Sequence, residues 1–318
     1  MNSKREIEVL LNRLGRQRRA SLVVVSYDLS SWHIQPLDKL DSDILFSMDE
    51  SKTKLGKHIE YSYKTISKDE YRAAFDEVQR QIRAGNTYLL NLTAQSKLNI
   101  DASLKEIYHM SDARYKLYFK DQFVCFSPEK FVNIEDNKIY TYPMKGTIDA
   151  KIPNAKEKIL SNQKEMAEHV MVVDLLRNDL AMVADKIRVD KFRYVEKIKA
   201  GERELLQVSS KISGELQDGW QDRLGSIITQ MLPAGSITGA PKKSTVEIIN
   251  RVENYDRGYF TGIFGVFDGN SFKSSVMIRF VQKQGDELYY KSGGGITIDS
   301  DMEAEYAELQ EKIYVPVL

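Results

Sequence analysis

A lysine at position 145 interrupts a strand-like run in the segment YPMKGTI (residues 142–148). Glu129, in FSPEK, belongs to the neighbouring predicted strand. An exposed salt bridge is the ordinary interpretation of such a pair. The apolar strand before Lys145 and the Gly-Thr turn after it favour partial burial instead, which is expected to lower the pKa of the amine from about 10.4 and free it as a nucleophile.

Two pairs of glutamates could bind a metal ion: Glu165 with Glu168, and Glu305 with Glu308. Residues three apart share one face of a helix, and taken alone each pair is typical of a solvated surface. An apolar run at 170–173 follows Glu168, however, and places carboxylates at the edge of an apolar helix. If both helices face one cleft, the four carboxylates would suit a hard cation such as Mg²⁺.

Two glycine-rich segments are expected to bring backbone close to a ligand. In LPAGSITGAPKKS (232–244), free amide groups stand just ahead of the helix that Pro241 begins, an arrangement suited to a carboxylate or phosphate. In SGGGITIDS (292–300), three glycines follow a predicted strand. An ordinary glycine turn would give the same pattern in each case. The first segment matches neither the P-loop nor the dinucleotide fingerprint, so nucleotide binding is not predicted.

Short runs of β-branched and aromatic residues, separated by turn residues, predict a large and mainly antiparallel sheet around these positions. The clearest helix begins at a capping box, Ser67 to Glu70, and stops at Gly85. We therefore expect an α+β fold in which a short N-terminal segment (1–65) packs on a catalytic core (66–318).

Composition excludes several classes of partner. The 46 basic and 46 acidic residues cancel, so no nucleic-acid partner is predicted. No apolar run approaches the roughly 18 residues of a membrane span. The single cysteine, Cys125, cannot form a disulfide within the chain, which favours a reducing, cytoplasmic setting.

Seven segments, in this order, resemble the chorismate-utilising enzymes, the family of anthranilate synthase component I, aminodeoxychorismate synthase component I, isochorismate synthase and salicylate synthase. They extend over most of the chain and are SPEKF, PMKGT, AEHVMVVDLLRND, LPAGSITGAPK, RGYFTGIFG, MIRF and GGGITIDSDMEAEYAE. The resemblance implies one large domain of two packed antiparallel sheets with helices outside.

The resemblance also implies a site. Glu168 and Glu308 would bind Mg²⁺, with Glu165 and Glu305 acting directly or through metal-bound waters. The ion would hold one carboxylate of chorismate, and the planar fork of an arginine would hold the other. Lys242 could equally be a solvated lysine. The predicted substrate-binding residues are Arg279, Gly294, Gly295, Ser236, Thr147 and Lys242.

Lys145 decides which reaction the resemblance implies. Aminodeoxychorismate synthases carry lysine at this PxKGT position, where anthranilate and isochorismate synthases usually carry alanine. In the implied mechanism the Lys145 amine adds to C2 of chorismate while the C4 hydroxyl leaves, protonated by Glu129. Ammonia from a separate glutamine amidotransferase subunit then attacks C4 and expels the lysine, giving 4-amino-4-deoxychorismate for para-aminobenzoate and folate synthesis.

Two residues depart from the family. Leu89 stands where isochorismate and salicylate synthases have a lysine and other aminodeoxychorismate synthases tend to have glutamine. Phe260 stands where the family usually has tyrosine, and strand alternation would point the adjacent Tyr259 to the opposite face. The alternatives are anthranilate synthase component I, which Lys145 disfavours, and a non-catalytic chorismate-binding protein, which would need no acid and nucleophile together.

Overall fold

The computed structural model describes residues 3–49, 59–200 and 203–315. Its helices are α1 (Ser3–Arg16), α2 (Lys68–Arg83), α3 (Leu104–Met110), α4 (Ala155–Ser161), α5 (Gln163–Ala181), α6 (Leu224–Met231), α7 (Lys242–Val252) and α8 (Met302–Glu311). Its strands are β1 (Ser21–Val25), β2 (Trp32–Pro36), β3 (Ile44–Ser47), β4 (Tyr61–Lys64), β5 (Leu89–Ile100), β6 (Tyr115–Phe119), β7 (Phe123–Ser127), β8 (Lys130–Glu135), β9 (Lys138–Thr141), β10 (Met144–Asp149), β11 (Asp185–Ala200), β12 (Arg203–Glu215), β13 (Gly239–Ala240), β14 (Ile263–Phe267), β15 (Phe272–Val276), β16 (Phe280–Gln284) and β17 (Glu287–Ile296).

The described strands form two sheets. The first has the order β10-β12-β9-β8-β15-β14-β1-β2, with β11 paired to β12. The second has the order β13-β5-β17-β16-β7-β6-β3, with β4 paired to β5. Each pairing among the described strands is antiparallel, which confirms the predicted α+β fold with two packed sheets.

Strand β1 shows how the sheets pack, because its alternate side chains enter different cores. Leu22 and Val24 join a buried cluster with Phe123 of the second sheet. Val23 and Val25 point the other way, into the cluster that contains the apolar faces of α1 and α6. Residues 1–65 thus supply β1 and β2 to one sheet and β3 and β4 to the other, so this segment is built into both.

Side-chain caps fix where the two glutamate-bearing helices begin. Asn162 accepts a hydrogen bond from the backbone N–H of Glu165 at the start of α5, and Asp301 accepts one from Ala304 at the start of α8. Each cap places the first glutamate of its pair, Glu165 or Glu305, in the first helical turn. The predicted capping box of α2, from Ser67 to Glu70, is confirmed.

No helix within the described ranges is both long and apolar enough to cross a lipid bilayer.

Candidate active site

A cavity of about 250 Å³ lies where α5, β5, β10, β17 and the glycine-rich loop before α7 meet. Its walls combine charged side chains with an apolar surface. The lining residues are Leu89, Asn91, Pro128, Glu129, Met144, Lys145, Glu168, Met171, Val172, Ser236, Ile237, Thr238, Gly239, Phe260, Thr261, Ile278, Arg279, Tyr290, Lys291, Ser292, Gly293, Gly294, Gly295, Thr297 and Lys312.

Seven of the residues singled out from the sequence line this cavity: Glu129, Lys145, Glu168, Ser236, Arg279, Gly294 and Gly295. Glu165, Glu305 and Glu308 are not among the lining residues, but Glu305 and Glu308 lie close to the lining residue Gly294. Thr147 and Lys242 do not line it and have other partners. A larger open groove along β4 and β5 contains none of the predicted site residues.

The side chain of Lys145 reaches one of the carboxylates predicted to bind a metal ion. Its Nζ lies 2.8 Å from Oε2 of Glu168. Burial alone would lower the pKa of this amine, but the negative charges of Glu168, Glu308 and Glu165 outweigh burial and raise it. The expectation of a lowered pKa is therefore wrong for this arrangement, because the strand pattern around Lys145 does not reveal the three carboxylates opposite it.

Glu129 has the surroundings of a proton donor. Ser236 of the glycine-rich loop donates its hydroxyl to Oε1 of Glu129 across 2.6 Å. Burial raises the pKa of this carboxyl, and the Ser236 hydrogen bond and the Lys312 charge oppose the rise without cancelling it. A raised pKa keeps a larger fraction of Glu129 protonated near neutrality, as a general acid requires.

The four glutamates surround the glycines and lysines at one end of the cavity. A Cβ built on Gly294 would lie 3.4 Å from Oε2 of Glu305 and 3.6 Å from Oε1 of Glu308, and one built on Gly146 would lie 3.0 Å from Oε2 of Glu165. The absence of side chains at these two glycines therefore lets the carboxylates approach the backbone closely.

The charges of these glutamates are mutually unfavourable. Burial and the neighbouring Glu168 raise the pKa of Glu165, and burial and Glu308 raise that of Glu305. At Glu308 burial alone would raise the pKa, but Lys312, with smaller contributions from Lys145 and Lys164, outweighs burial and lowers it. One oxygen of Glu165, Oε2, is buried and has no hydrogen-bond partner among the residues that the structure describes.

This donor set fits a hard divalent cation. Carboxylate oxygens are the ligands that Mg²⁺ prefers, and an orphaned buried oxygen is costly unless a cation or donor meets it. Within the described residues, no three acidic, histidine or cysteine side chains already converge to metal-binding distance. Lys145 and Lys312 form ion pairs with Glu168 and Glu308, so binding an ion here would require those pairs to rearrange.

Lys312 is a site residue that the sequence analysis missed. Its Nζ lies 2.5 Å from Oε1 of Glu308 and donates to the carbonyl of Gly293 at 2.9 Å. The sequence spacing could have indicated this role, because Lys312 caps the C-terminus of α8 four residues after Glu308, close to the same helix face. A second cation, Lys291, is fully buried and donates to the carbonyls of Asp256 and Arg257.

Arg279 and the glycines of β17 present donors to the cavity. Strand β16 pairs with β17 only as far as Lys291, so beyond it the described β17 pairs with β5 alone. One edge of Gly294 and Gly295 is thereby released from the sheet toward the cavity. Arg279 has a left-handed backbone (φ 51°) and, among the described residues, no ion-pair partner. A carboxylate could meet these groups.

Lys242 anchors the glycine-rich loop. Its Nζ lies 2.9 Å from Oδ1 of Asp179 on α5 and donates to the carbonyl of Met231. Asp179, whose side chain is 7% exposed, also accepts the backbone N–H of Gly235. The loop that carries Ser236 is thus fixed to α5, and this location gives Lys242 a structural partner in place of the predicted substrate contact.

Thr147 has a comparable local role. It is exposed, and its hydroxyl donates to Oε1 of Gln207 at 2.9 Å. Thr147 is not among the residues that line the cavity, and its hydroxyl is bonded to Gln207, so this geometry gives no support to the predicted contact with substrate.

Both residues that depart from the family lie on the cavity wall. Leu89 and Phe260 are 8% and 2% exposed and make that wall apolar. Tyr259 points elsewhere, against Phe119 and Phe123, as expected. Strand alternation is not the cause of this direction, because residues 258–261 form a turn and not a strand.

Comparison with known proteins identifies the family. Residues 16–317 match the family described as chorismate binding enzyme, and the chain belongs to it. It is 47% identical over 313 residues to an uncharacterized PabA-like protein of Pasteurella multocida (strain Pm70), covering 96% of this chain and 97% of the relative.

A more distant relative has a named activity. The chain is 32% identical over 264 residues to aminodeoxychorismate synthase component 1 of Bacillus subtilis (strain 168), covering 78% of this chain but only 55% of the relative. The fold matches that of MenF, the menaquinone-specific isochorismate synthase of Escherichia coli, with a TM-score of 0.73 at 16% identity, over 96% of this chain and 79% of that one.

Proposed function

We propose that this protein is the ammonia-using component of an aminodeoxychorismate synthase, which converts chorismate to 4-amino-4-deoxychorismate in the route to para-aminobenzoate and folate. The observation that carries the proposal is the presence of Lys145 and Glu129 in one cavity with Glu168. A primary amine and a carboxyl of raised pKa supply the nucleophile and the acid that replacement of a hydroxyl group needs. The relationship to the Bacillus synthase supports the same reaction.

In the first half of the reaction, the neutral Lys145 amine forms a bond to C2 of chorismate. Both ring double bonds shift, from C1=C2 to C1=C6 and from C5=C6 to C4=C5, and the C4–O bond breaks. Hydroxide is a poor leaving group, so Glu129 gives its proton to the departing oxygen, which leaves as water. The lysine nitrogen loses its extra proton as the adduct forms.

In the second half, ammonia forms a bond to C4. Both double bonds shift back, the C2–N bond breaks, and Lys145 leaves as an amine after taking up a proton. The new C4 ammonium loses a proton in exchange. The net change is chorismate and ammonia to 4-amino-4-deoxychorismate and water, so two displacements exchange the substituents at one carbon.

Lys145 must be neutral to attack, and the surrounding carboxylates oppose this. When bound by Glu168 and Glu308, with Glu165 and Glu305 close by, Mg²⁺ would hold one carboxylate of chorismate and offset the negative charge that raises the pKa of Lys145. Arg279 and Lys312, which both line the cavity, could then bind the second carboxylate. Leu89 supplies no base for adding water at C2.

The proposal includes a separate glutamine amidotransferase subunit as the source of ammonia. A direct test incubates the protein with chorismate, Mg²⁺ and ammonium at mildly alkaline pH and identifies the product by chromatography and mass. We expect aminodeoxychorismate, and we expect EDTA to abolish its formation. Anthranilate as the sole product would favour the anthranilate synthase alternative, and recovery of unchanged chorismate would favour a binding protein.

A further inference from the structure

We propose that Gln207 is a positioning residue that holds a bulge in β10 so that Lys145 points into the cavity. The inference rests on the proposed role of Lys145 as nucleophile and assigns a function to a residue outside the cavity lining. Gln207 lies on β12, the strand paired with β10.

The bulge follows from the register of the two strands. Met144 pairs with Ser209, but Thr147 pairs with Gln207, so two residues of β10, Lys145 and Gly146, face one residue of β12. Such a bulge bends its strand and re-aims a side chain. Lys145 leaves the ladder at this point and its amine reaches Glu168, 2.8 Å away.

Gly146 gives the backbone of the bulge conformational freedom. Its φ of +92° is closed to most side chains, and a Cβ there would meet Oε2 of Glu165 at 3.0 Å. A glycine tolerates this conformation and also many others. Something must therefore select one of them if Lys145 is to keep a fixed direction.

The amide of Gln207 makes that selection with both of its polar atoms. Nε2 donates to the carbonyl of Gly146 at 2.9 Å, and Oε1 accepts the hydroxyl of Thr147 at 2.9 Å. Before the bulge, the backbone N–H of Ser210 donates to the carbonyl of Pro143 at 2.9 Å. Both ends of the bulge are thus fixed to β12. At the end next to Gly146, the Gln207 side chain adds its two hydrogen bonds to the backbone pairing that resumes at Thr147.

The geometry gives a graded series of variants. Gln207→Ala removes both bonds, Gln207→Glu keeps the acceptor but loses the donor to Gly146, and Thr147→Val removes only the bond from Thr147. Misplacing a reacting group by about 1 Å can reduce turnover by up to about a hundredfold. We expect kcat for aminodeoxychorismate to fall by about tenfold to a hundredfold in Gln207→Ala, less in Gln207→Glu and least in Thr147→Val.

The measurements separate positioning from general damage. In Gln207→Ala, KM for chorismate and the melting temperature should stay close to those of the unmodified protein while kcat falls. Carbamylation of Lys145 by cyanate, followed by peptide mass spectrometry, should become faster, because a loosened backbone frees the amine from Glu168, whereas labelling of Lys312 should not change. The control is Gln284→Ala, which removes an exposed glutamine amide bonded to Gln95 on the second sheet.

Two results would overturn the inference: an unchanged kcat in Gln207→Ala, or a fall in kcat matched by lost chorismate binding and a lower melting temperature. Failure of the proposed function would look different: the unmodified protein would form no aminodeoxychorismate, or Lys145→Ala would remain fully active. In that case the carbamylation rate alone tests whether Gln207 positions Lys145. An unchanged rate at Lys145 in Gln207→Ala would reject that role.

Discussion

Lys145 and Glu168 form an ion pair of 2.8 Å across the boundary between β10 and α5. The residue proposed as nucleophile therefore contacts a residue proposed as metal ligand, and the charge at one affects the other. This explains why the pKa of Lys145 is raised in spite of burial. In the proposed mechanism, a cation bound by these carboxylates would therefore change the protonation of Lys145.

Replacing Lys145 by alanine should abolish formation of aminodeoxychorismate, because the proposed mechanism forms its covalent adduct on the Lys145 amine. Chorismate binding in the presence of Mg²⁺ should persist, since the carboxylates and Arg279 remain. Product chromatography and binding calorimetry measure the two effects. The matched control is Lys164→Ala, an exposed lysine 4.0 Å from the same glutamate, which should leave turnover unchanged. Full activity in Lys145→Ala would exclude the covalent mechanism.

The bond from Ser236 to Glu129 gives a prediction about pH. A hydrogen bond donated to a carboxylate stabilises the charged form and lowers the pKa. Removing it in Ser236→Ala should raise the pKa of Glu129 further, so the midpoint that belongs to Glu129 in the pH profile of kcat should move to higher pH. The same midpoint should be missing in Glu129→Gln. A shift to lower pH in Ser236→Ala would contradict the assignment of Glu129 as the buried acid.

The local pattern of the sequence was enough to predict the acid-bearing helices, because caps and glutamate spacing are properties of consecutive residues. It also located Glu129, Lys145 and the two glycine segments. Their convergence required the resemblance to a family, since α5 and α8 are separated by more than a hundred residues. Roles that depend on a partner far along the chain were not predictable from pattern alone: Lys242 with Asp179, Thr147 with Gln207, and the three carboxylates around Lys145.

The anchoring role of Lys242 predicts a loss of stability. Lys242→Met leaves the buried Asp179 carboxylate with the N–H of Gly235 as its remaining donor, and breaking a buried pair in this way costs about 3 kcal/mol. Burial already raises the pKa of Asp179, with Lys242 opposing it. The loss should therefore shrink as the pH falls, because a protonated Asp179 needs no cation.

Urea unfolding of Lys242→Met at several pH values tests this prediction. The double variant with Asp179→Asn should recover part of the stability, since it removes the unpaired charge. If Lys242 instead bound substrate, Lys242→Met would raise KM for chorismate while the free energy of unfolding stayed constant over the same pH range.

Lys291 predicts a distinct dependence of stability on pH. Burial lowers the pKa of this amine to about 8 in the folded protein, whereas an unfolded lysine has a pKa of about 10.4. Between these values the unfolded chain binds more protons than the folded protein, so stability gains with rising pH. Below pH 8 both states carry the charge, and the cost of burying it is fully present.

The variant Lys291→Met isolates this contribution, because the buried tyrosines titrate alike in both proteins. From pH 8 to 10 the unmodified protein should gain up to about 1.4 kcal/mol per pH unit relative to the variant. Urea unfolding of the two proteins in parallel gives the difference. The methionine also removes the donors to the carbonyls of Asp256 and Arg257, which changes the free energy of unfolding at every pH. The test therefore uses only the slope of the free energy of unfolding against pH. Two curves that stay parallel across this range would mean that Lys291 keeps its proton in the folded state, held by those two carbonyls.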